Sequence, residues 1–314
     1  MPVSDETEII AAMKAPDKVL WLDIEKPTAD DLRLLQEGFG FHPLSVRDVA
    51  DSHSAPKLDE YATYVFQIVM VPKCITAERV EMIEVSLYYL LGTLVTVREE
   101  PWPALDALWD AVQRDPGHEL GQGAQVVYHN VVDRAVQAYD GVLRAVEEQV
   151  EDLEREVLDV HDNVDSLAGI FRLRRSVRHL LRLVRWQAES VGRLAFGHVT
   201  SIRQETCYLF RDVHDHLVLY QGILDDHRET LGGLRDTYIG IVNNRMNEVM
   251  KTLTVFSALL LPLTFLTGLW GMNFNALPLA QHEYGFWIFL GVCGTVIGFL
   301  LWLMYRAGWL RRTQ

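Results

Sequence analysis

The sequence predicts an α+β domain followed by long helices and two C-terminal transmembrane helices. In residues 1–120, runs rich in β-branched and aromatic side chains alternate with short helical segments. Residues 121–250 have helical periodicity and contain no proline. Residues 251–314 carry almost no charge. We therefore expect a cytoplasmic α/β domain at 1–120, a cytoplasmic helical (coiled-coil or stalk) domain at 121–250 and a transmembrane hairpin at 251–314.

The elements of the first region follow from its composition in chain order. The strand predictions are Val19–Ile24, Tyr61–Val71, Val80–Tyr89 and Thr93–Arg98. Thr28 is expected to cap a helix that continues to about Phe39, with two aspartates in its first turn. His42-Pro43 is expected to open a short helix, and Pro101–Gln113 is also predicted to be helical.

The helical region changes character along its length. Apolar residues recur at alternating spacings of four and three, which predicts heptad packing: Val146, Val150, Leu153, Val157, Val160, Val164 and Leu167. The polar positions are acidic through residue 162 and arginine-rich from 172 to 185, which fits either a solvated surface or two antiparallel helices paired by charge. From Tyr208 to Trp270 nothing forces a helix to stop, so we expect one helix of roughly 90–100 Å that runs into the membrane.

The C-terminal region predicts two membrane spans, at about 252–271 and 285–305. Each has the roughly 20 apolar residues that a crossing helix needs. The loop between the spans has no Lys or Arg. Basic residues flank the two spans: Arg245, Lys251, Arg306, Arg311 and Arg312. By the positive-inside tendency, we expect a multi-pass protein of the cell inner (plasma) membrane whose N- and C-termini are cytoplasmic.

The charge distribution excludes several functions. The net charge is −14, and only four basic residues and one acidic residue lie in 251–314, so the first 250 residues carry 25 basic and 42 acidic side chains. Such an acidic body repels phosphate backbones, which argues against binding of nucleic acid. Cys74, Cys207 and Cys293 are far apart and form no CxxC pair. Motifs typical of nucleotide sites and hydrolases are absent, so we expect no enzyme activity.

The first span carries a stripe of small and polar residues at steps of three and four. These are Asn247, Met250, Leu253, Ser257, Leu261, Thr264 and Gly268. The stripe suits either a pore lining or ordinary packing of membrane helices through small residues. One hairpin encloses no pore, so a transporter of this kind must be an oligomer. The alternative is a membrane-anchored scaffold that transports nothing.

Beyond the stripe, several motifs resemble the CorA family of divalent metal-ion channels and transporters. They are Gly271-Met272-Asn273 at the end of the first span, Asn247–Lys251 and Pro262–Phe265 before it, Phe41–Leu44 with Asp48, and Phe210–Val213. The resemblance covers nearly the whole chain. It implies a homopentamer with a funnel-shaped cytoplasmic part, in which the first span lines the pore. The transported cation implied is Mg²⁺, with Co²⁺ as a further substrate.

The resemblance also implies roles for individual residues. Gly271, Met272 and Asn273 would form the selectivity motif, with five Asn273 amides contacting a hydrated cation. The stripe would line the pore, with Thr264 and Gly268 at hydrated-ion positions and Met250 and Leu253 at a hydrophobic gate. Regulatory Mg²⁺ would bind between subunits at Asp48 and Asp212, with Asp133 nearby.

Some positions depart from the family pattern and keep an alternative open. Arg47 stands beside Asp48 where a second acid is common, and Trp270 precedes the Gly-Met-Asn motif where tyrosine is frequent. The ZntB branch shares the architecture and implies transport of Zn²⁺, possibly driven by protons, and Co²⁺ or Ni²⁺ are further candidate cations. Asp212 and His216, four residues apart on a helix, could share a transition metal. The intact Gly-Met-Asn motif favours the CorA branch.

Overall fold

The structure is a computed structural model, and it describes residues 6–13, 18–51, 55–75, 80–159, 164–272 and 282–309. The chain divides into two compact units, Met1–Arg235 and Asp236–Gln314. The first unit contains a five-stranded sheet covered by helices. The second contains two apolar helices.

The strands of the first unit are β1 (Leu20–Glu25), β2 (Lys57–Glu60), β3 (Tyr64–Ile75), β4 (Val80–Leu90) and β5 (Thr93–Arg98). Their order in the sheet is β1-β5-β4-β3-β2. β1 pairs with β5 in parallel, and the other neighbours are antiparallel. The four predicted strands are confirmed within a few residues. β2 was not predicted, because its charged sequence Lys-Leu-Asp-Glu lacks the composition of a strand.

Short helices connect and flank the sheet. They are α1 (Glu6–Met13), α2 (Ala29–Arg33), α3 (Pro43–Ala50), α4 (Pro103–Arg114) and α5 (Pro116–Glu119). Thr28 caps α2 as predicted: its hydroxyl oxygen accepts from the Asp31 amide, and the Asp31 carboxylate accepts from the Thr28 amide at 2.8 Å. α2 continues as one π-helical segment, Leu34–Gly38. α3 begins after His42, whose Nδ1 accepts from the Leu44 amide at 3.1 Å.

One side of the sheet is covered by an aromatic cluster, which consists of Phe41, Tyr64, Phe66 and Tyr88. Phe41 stacks on Tyr88 with ring centroids 4.1 Å apart, and both side chains are buried. The Tyr88 hydroxyl donates to the Ser45 carbonyl at 2.9 Å, which ties α3 to β4. Burial raises the pKa of Tyr88, so the phenol stays neutral and keeps this hydrogen bond.

The longer helices of the chain are α6 (Ala124–Gln137), α7 (Tyr139–Leu158), α8 (Val164–Ala195) and α9 (Gln204–Trp270). A buried polar network fastens α6 and α8 to β3. The Gln67 side chain donates to Ser190 at 2.9 Å and accepts from the Tyr128 hydroxyl at 2.6 Å, and the Gln187 side chain accepts from the Met70 amide at 3.0 Å. Buried hydrogen bonds of this kind fix the position of a helix on a sheet.

The predicted heptad run does not form one helix. α7 ends at Leu158, α8 begins at Val164, and Val160 lies outside the described residues. Val146, Val150 and Val157 are buried as the period predicts. Charge pairing between α7 and α8, one of the two interpretations of the sign change, is not seen among their described residues. The ion pairs instead lie within α7 (Asp152 with Arg155, 2.7 Å) and between α8 and α9 (Arg185 with Asp225, 2.9 Å).

α9 is one continuous helix of 67 residues, as the sequence predicts. It passes Gly232-Gly233 and Pro262 without interruption. The second unit holds its C-terminal part and α10 (Gly285–Arg306). α9 and α10 are each long and apolar enough to cross a membrane, which agrees with the two predicted spans.

Removal of the central aromatic ring should show how far the fold depends on this cluster. We expect Phe41→Ala to lower the free energy of unfolding by about 3–5 kcal/mol, because the substitution leaves a cavity against Tyr88 and Tyr64. The measurement is unfolding of the purified full-length protein in detergent, followed by tryptophan fluorescence. Leu91→Ala, at a side chain that is 83% exposed, is the control and should cost under about 0.5 kcal/mol. Equal losses of unfolding free energy in the two variants would contradict the role of Phe41 at the centre of the aromatic cluster.

Candidate cation pathway and regulatory carboxylates

The stripe of α9 is exposed along its whole length in a single chain. Its members are Asn247, Met250, Leu253, Ser257, Leu261, Thr264 and Gly268. Leu261, in the middle of the span, is 69% exposed. Each residue of an α-helix advances by about 100° around the axis, so steps of three and four keep these positions on one side. They form a continuous surface that this chain does not cover.

The half-buried residues of the same segment lie on the other side of α9. They are Lys251, Val255, Ala258, Leu259, Pro262, Leu263, Leu266 and Trp270. The Trp270 ring contacts the Phe289 ring of α10, with centroids 4.9 Å apart. α10 therefore covers the face of α9 opposite to the stripe. Packing within the hairpin does not account for the small and polar residues of the stripe.

The threonine hydroxyl groups of this segment already donate hydrogen bonds to backbone carbonyls of the helix itself. Thr264 Oγ1 donates to the Leu260 carbonyl at 2.9 Å. A threonine hydroxyl has one proton and two lone pairs, so Thr264 presents only acceptor capacity to its surroundings. The water molecules around a cation point their hydrogens outward and need acceptors. The stripe thus offers oxygen acceptors without any carboxylate.

α9 ends just before the Gly-Met-Asn motif. The Gly271 amide donates to the Thr267 carbonyl at 2.9 Å, and the Met272 amide donates to the Leu269 carbonyl at 3.4 Å. A Cβ at Gly271 would lie 3.1 Å from the Thr267 oxygen, which is tighter than a side chain normally accepts. The turn therefore favours glycine at 271 because the backbone there lies close to the Thr267 carbonyl oxygen. The φ angle of Gly271 is not positive. Met272 is exposed, and Asn273 lies outside the described residues.

The three carboxylates predicted as regulatory sites lie on three different helices. Asp48 is on α3, Asp133 on α6 and Asp212 on α9. Asp133 accepts from Gln137 Nε2 at 2.7 Å, and Asp212 is exposed. In the described part of the chain, no group of three or more His, Cys, Asp and Glu side chains is arranged to hold a metal ion.

Asp48 already has a cationic partner within its own chain. Lys57 Nζ lies 2.6 Å from Asp48 Oδ2 and 2.9 Å from Asp59 Oδ2. Burial lowers the pKa of Lys57, but its hydrogen bonds and attraction to these two carboxylates outweigh that effect, so the pKa is raised above its ordinary value. Lys57 is thus protonated at neutral pH. The sequence does not predict this pair, because the charged segment β2, which carries Lys57, lacks the composition of a strand.

The histidines near Asp212 do not build a metal site with it. His214 is mostly buried and its ring packs edge-on against Phe196, with centroids 5.2 Å apart. His216 lies against Tyr220, whose hydroxyl donates to Asp140 at 2.7 Å. These rings are engaged by the packing of α9 against its own unit. In the described part of the chain, no further His, Cys, Asp or Glu joins Asp212 and His216 in a group of three that could hold a metal ion.

Comparison with known proteins identifies the family. The family model of CorA-like Mg²⁺ transporter proteins matches residues 16–306. The chain belongs to the CorA family of divalent-cation transporters. YfjQ of Bacillus subtilis is 31% identical, with 92% of this chain and 89% of that protein covered. The cobalt/magnesium transport protein CorA of Thermotoga maritima is 26% identical, with 97% and 87% covered.

The fold agrees with a solved structure of this family. The CorA magnesium transporter of Methanocaldococcus jannaschii aligns with a TM-score of 0.80 at 20% identity, covering 92% of this chain and 91% of that one. The α+β domain, the long helices and the C-terminal hairpin are thus the CorA fold. Membership of a transporter family favours transport over the alternative of a scaffold that transports nothing.

The geometry of the stripe leads to a test with a matched control. We expect Thr264→Val to reduce divalent-cation uptake into liposomes at least about fivefold, because every copy of the chain loses an acceptor oxygen at unchanged shape and one such oxygen is worth about 1 kcal/mol. Thr252 makes the same backbone hydrogen bond, to the Glu248 carbonyl at 2.9 Å, but points to the other side of α9. Thr252→Val should leave uptake unchanged. Equal uptake by the two variants would contradict the assignment of the stripe to the cation path.

Proposed function

We propose that this protein is a homopentameric Mg²⁺ channel of the plasma membrane whose pore is lined by the stripe of α9. The observation that carries the proposal is the exposure of this stripe on the face of α9 that α10 leaves uncovered. One hairpin cannot enclose a path for ions, so several copies of α9 must surround an axis. Five copies are implied by the family resemblance. The flanking basic residues support cytoplasmic N- and C-termini.

Selection of the cation is assigned to the Gly-Met-Asn motif at the outer end of the pore. Mg²⁺ gives up its water shell reluctantly, and a carboxylate would bind it too tightly for rapid release. No Asp or Glu occurs between Thr252 and His282. A ring of Asn273 amide oxygens, followed by the Thr264 hydroxyls and a widening at Gly268, suits an ion that keeps its first water shell. Co²⁺ is a further substrate by the same chemistry.

The gate is assigned to the inner end of the stripe. Met250 and Leu253 are exposed apolar side chains one turn apart, next to Asn247. A ring of such side chains around a narrow axis loses its water and blocks ions without any charged group. The gate then opens when the cytoplasmic ends of the α9 helices separate.

Replacement of the selectivity residue tests the proposal directly. We expect Asn273→Ala to lower Mg²⁺ uptake at least about tenfold, since the ring of amide oxygens that positions the hydrated ion is removed. Asn275→Ala, the same change two residues further along, is the matched control and should leave uptake near the wild-type value. Uptake is measured in liposomes with a Mg²⁺-sensitive dye, and oligomer size by light scattering. Normal Mg²⁺ uptake by an intact Asn273→Ala oligomer would refute the selectivity role.

Regulation is assigned to Mg²⁺ bound between neighbouring subunits at Asp48 and Asp212, near Asp133. Carboxylates from two copies repel one another when Mg²⁺ is scarce and are bridged when it is abundant. Bound ions then favour the closed arrangement and limit further entry. Lys57 competes with Mg²⁺ for Asp48, and Arg47 stands where a second acid would strengthen the site. We therefore expect one ion between Asp48 and Asp212 rather than a pair.

Two variants should shift regulation in opposite directions. Asp212→Ala removes a ligand and is expected to move inhibition of uptake to Mg²⁺ concentrations at least about tenfold higher. Lys57→Gln removes the competing cation and is expected to move inhibition of uptake to lower Mg²⁺ concentrations. Lys73→Gln is the control, since Lys73 is exposed and pairs with Glu100 at 2.9 Å, away from Asp48. The readout is uptake against internal Mg²⁺, and identical inhibition curves for all four proteins would exclude the interface site.

Transport of Zn²⁺ in the manner of ZntB is the second candidate. Met272 of the Gly-Met-Asn motif is intact, which favours Mg²⁺. Competition between Zn²⁺ and Mg²⁺ in the same flux assay, with and without a proton gradient, separates the two functions.

A further inference from the structure

The helix α8 presents a basic surface on the side opposite to its buried residues. Leu173, Val177 and Val184 are among the buried residues and lie on one side of the helix at helical spacing. The opposite side is exposed and is defined here as the arginine face: Phe171, Arg172, Arg175, Arg178, Arg182, Arg185 and Trp186. No acidic residue occurs between Asp165 and Glu189. The arginine face is therefore a continuous cationic surface in a chain whose net charge is −14.

Most arginines of this face have no acidic partner within the chain. Arg185 pairs with Asp225 of α9. The other four form no ion pair with a carboxylate of the described residues, and Arg182 lies over the Trp186 ring, 6.0 Å from its centroid. Arginine and exposed aromatic rings are enriched at protein–protein interfaces. The arginine face thus has the composition of an interface.

An acidic surface of similar length lies on α7. The acidic face is defined here by the exposed carboxylates of this helix: Glu147, Glu148, Glu151, Asp152, Glu156 and Asp159. They lie on the side opposite to the buried valines of α7. Asp152 pairs with Arg155 of the same helix, and Glu156 accepts a hydrogen bond from Ser166 at 3.3 Å. The other four carboxylates form no ion pair with a basic side chain of the described residues.

The two faces match in length and are opposite in charge. The arginine face extends from residue 172 to residue 185, about 20 Å along the helix, and the acidic face from 147 to 159, about 18 Å. Among the described residues of α7 and α8 in one chain, no ion pair joins the two helices. The apolar sides of both helices are used for packing inside the unit, which leaves both faces exposed. A second copy can bring an acidic face against an arginine face.

A ring of subunits requires two complementary surfaces on each copy. In a cyclic oligomer, each subunit presents one surface to the neighbour on one side and a different surface to the other neighbour. Faces of opposite charge suit this arrangement, because like charges placed against each other disfavour the wrong orientation. The ring also holds the copies at high effective concentration, so ion pairs that are weak one by one act together.

We propose that the arginine face of α8 docks on the acidic face of α7 in the next copy of this chain. The guanidinium groups pair with the carboxylates, and the Phe171 and Trp186 rings cover the two ends of the contact. The inference rests on the oligomer of the proposed function. It assigns a contact that uses neither the stripe nor the carboxylates Asp48, Asp133 and Asp212.

Cross-linking of the full-length protein in detergent tests this contact. Glu151 and Arg178 lie near the middle of their faces, so they meet whether the two helices run in the same or in opposite directions. The three native cysteines are replaced with serine. We expect Glu151→Cys with Arg178→Cys to be linked between chains by a short bis-maleimide at least about fivefold more than either single variant. Asp110→Cys with Arg178→Cys, which moves the first position to α4, is the matched control and should stay at the level of the single variants.

Reversal of charge in the cross-linked variant tests the pairing itself. Arg175→Glu with Arg182→Glu places like charges against each other and should lower the cross-linked fraction at least about fivefold. Addition of Glu148→Arg with Asp159→Arg should restore it, because the two faces then exchange their charges. Arg33→Glu with Arg114→Glu makes the same change of net charge on other helices and should leave the cross-linked fraction unchanged.

Oligomer size, measured by light scattering on the same samples, separates the possible failures. An intact oligomer that cross-links no more than the single variants would overturn the docking and leave the proposed pore in place. An uncross-linked monomer would overturn the oligomer of the proposed function and this contact with it. Cross-linking that charge reversal does not change would exclude pairing by charge. Loss of cross-linking in vesicles that contain phosphatidylglycerol would also overturn the docking, and it would assign the arginine face to the membrane surface.

Discussion

The hydrocarbon core of a membrane offers no water to backbone N–H and C=O groups, so every segment that crosses it must satisfy these groups internally. α9 meets this requirement as one uninterrupted helix, and the rest of the structure follows from it. The same helix that crosses the membrane extends into the first unit, where Phe210, Val213, Leu217 and Tyr220 are buried at helical spacing. A helix of this length is not stable alone in water. Its N-terminal part is stabilised by packing, and its C-terminal part by the bilayer.

The motifs that connect this chain to its family divide into structural and functional residues. Phe41 belongs to the aromatic cluster, and His42 and Pro43 begin α3. Phe210 is fully buried and contacts Tyr128 edge-on at 5.4 Å, which anchors α9 beside the sheet. Asp48 on α3 and Asp212 on α9 are the candidate ion ligands of the proposed function. The structural residues thus set the positions of these two carboxylates.

Much of this fold is predictable from the sequence, because local signals and burial agree there. The cap at Thr28 results from local hydrogen bonds, and strand β5 from its β-branched composition. The helix α9 is continuous because its sequence contains no strong stop signal. The break between α7 and α8 was missed because the apolar period continues through it. β2 was missed because cross-strand pairing with β3, and not its own composition, makes it a strand. Such long-range pairings leave no trace in a local pattern.

The candidate site also combines features that the sequence predicts with features that it does not. The stripe was predicted because it depends only on helical period, and the structure adds that α10 covers the opposite face. The Asp48–Lys57 pair could not be predicted, since it depends on the return of β2 to α3. This pair changes the expected behaviour of the regulatory carboxylate. A tethered ammonium group is always present at high effective concentration, so Mg²⁺ must displace it to reach Asp48. Binding of the ion then costs more than bridging two bare carboxylates. For the proposed regulation, we therefore expect a sensor that responds only when Mg²⁺ is abundant, which is the range in which further entry has to be limited.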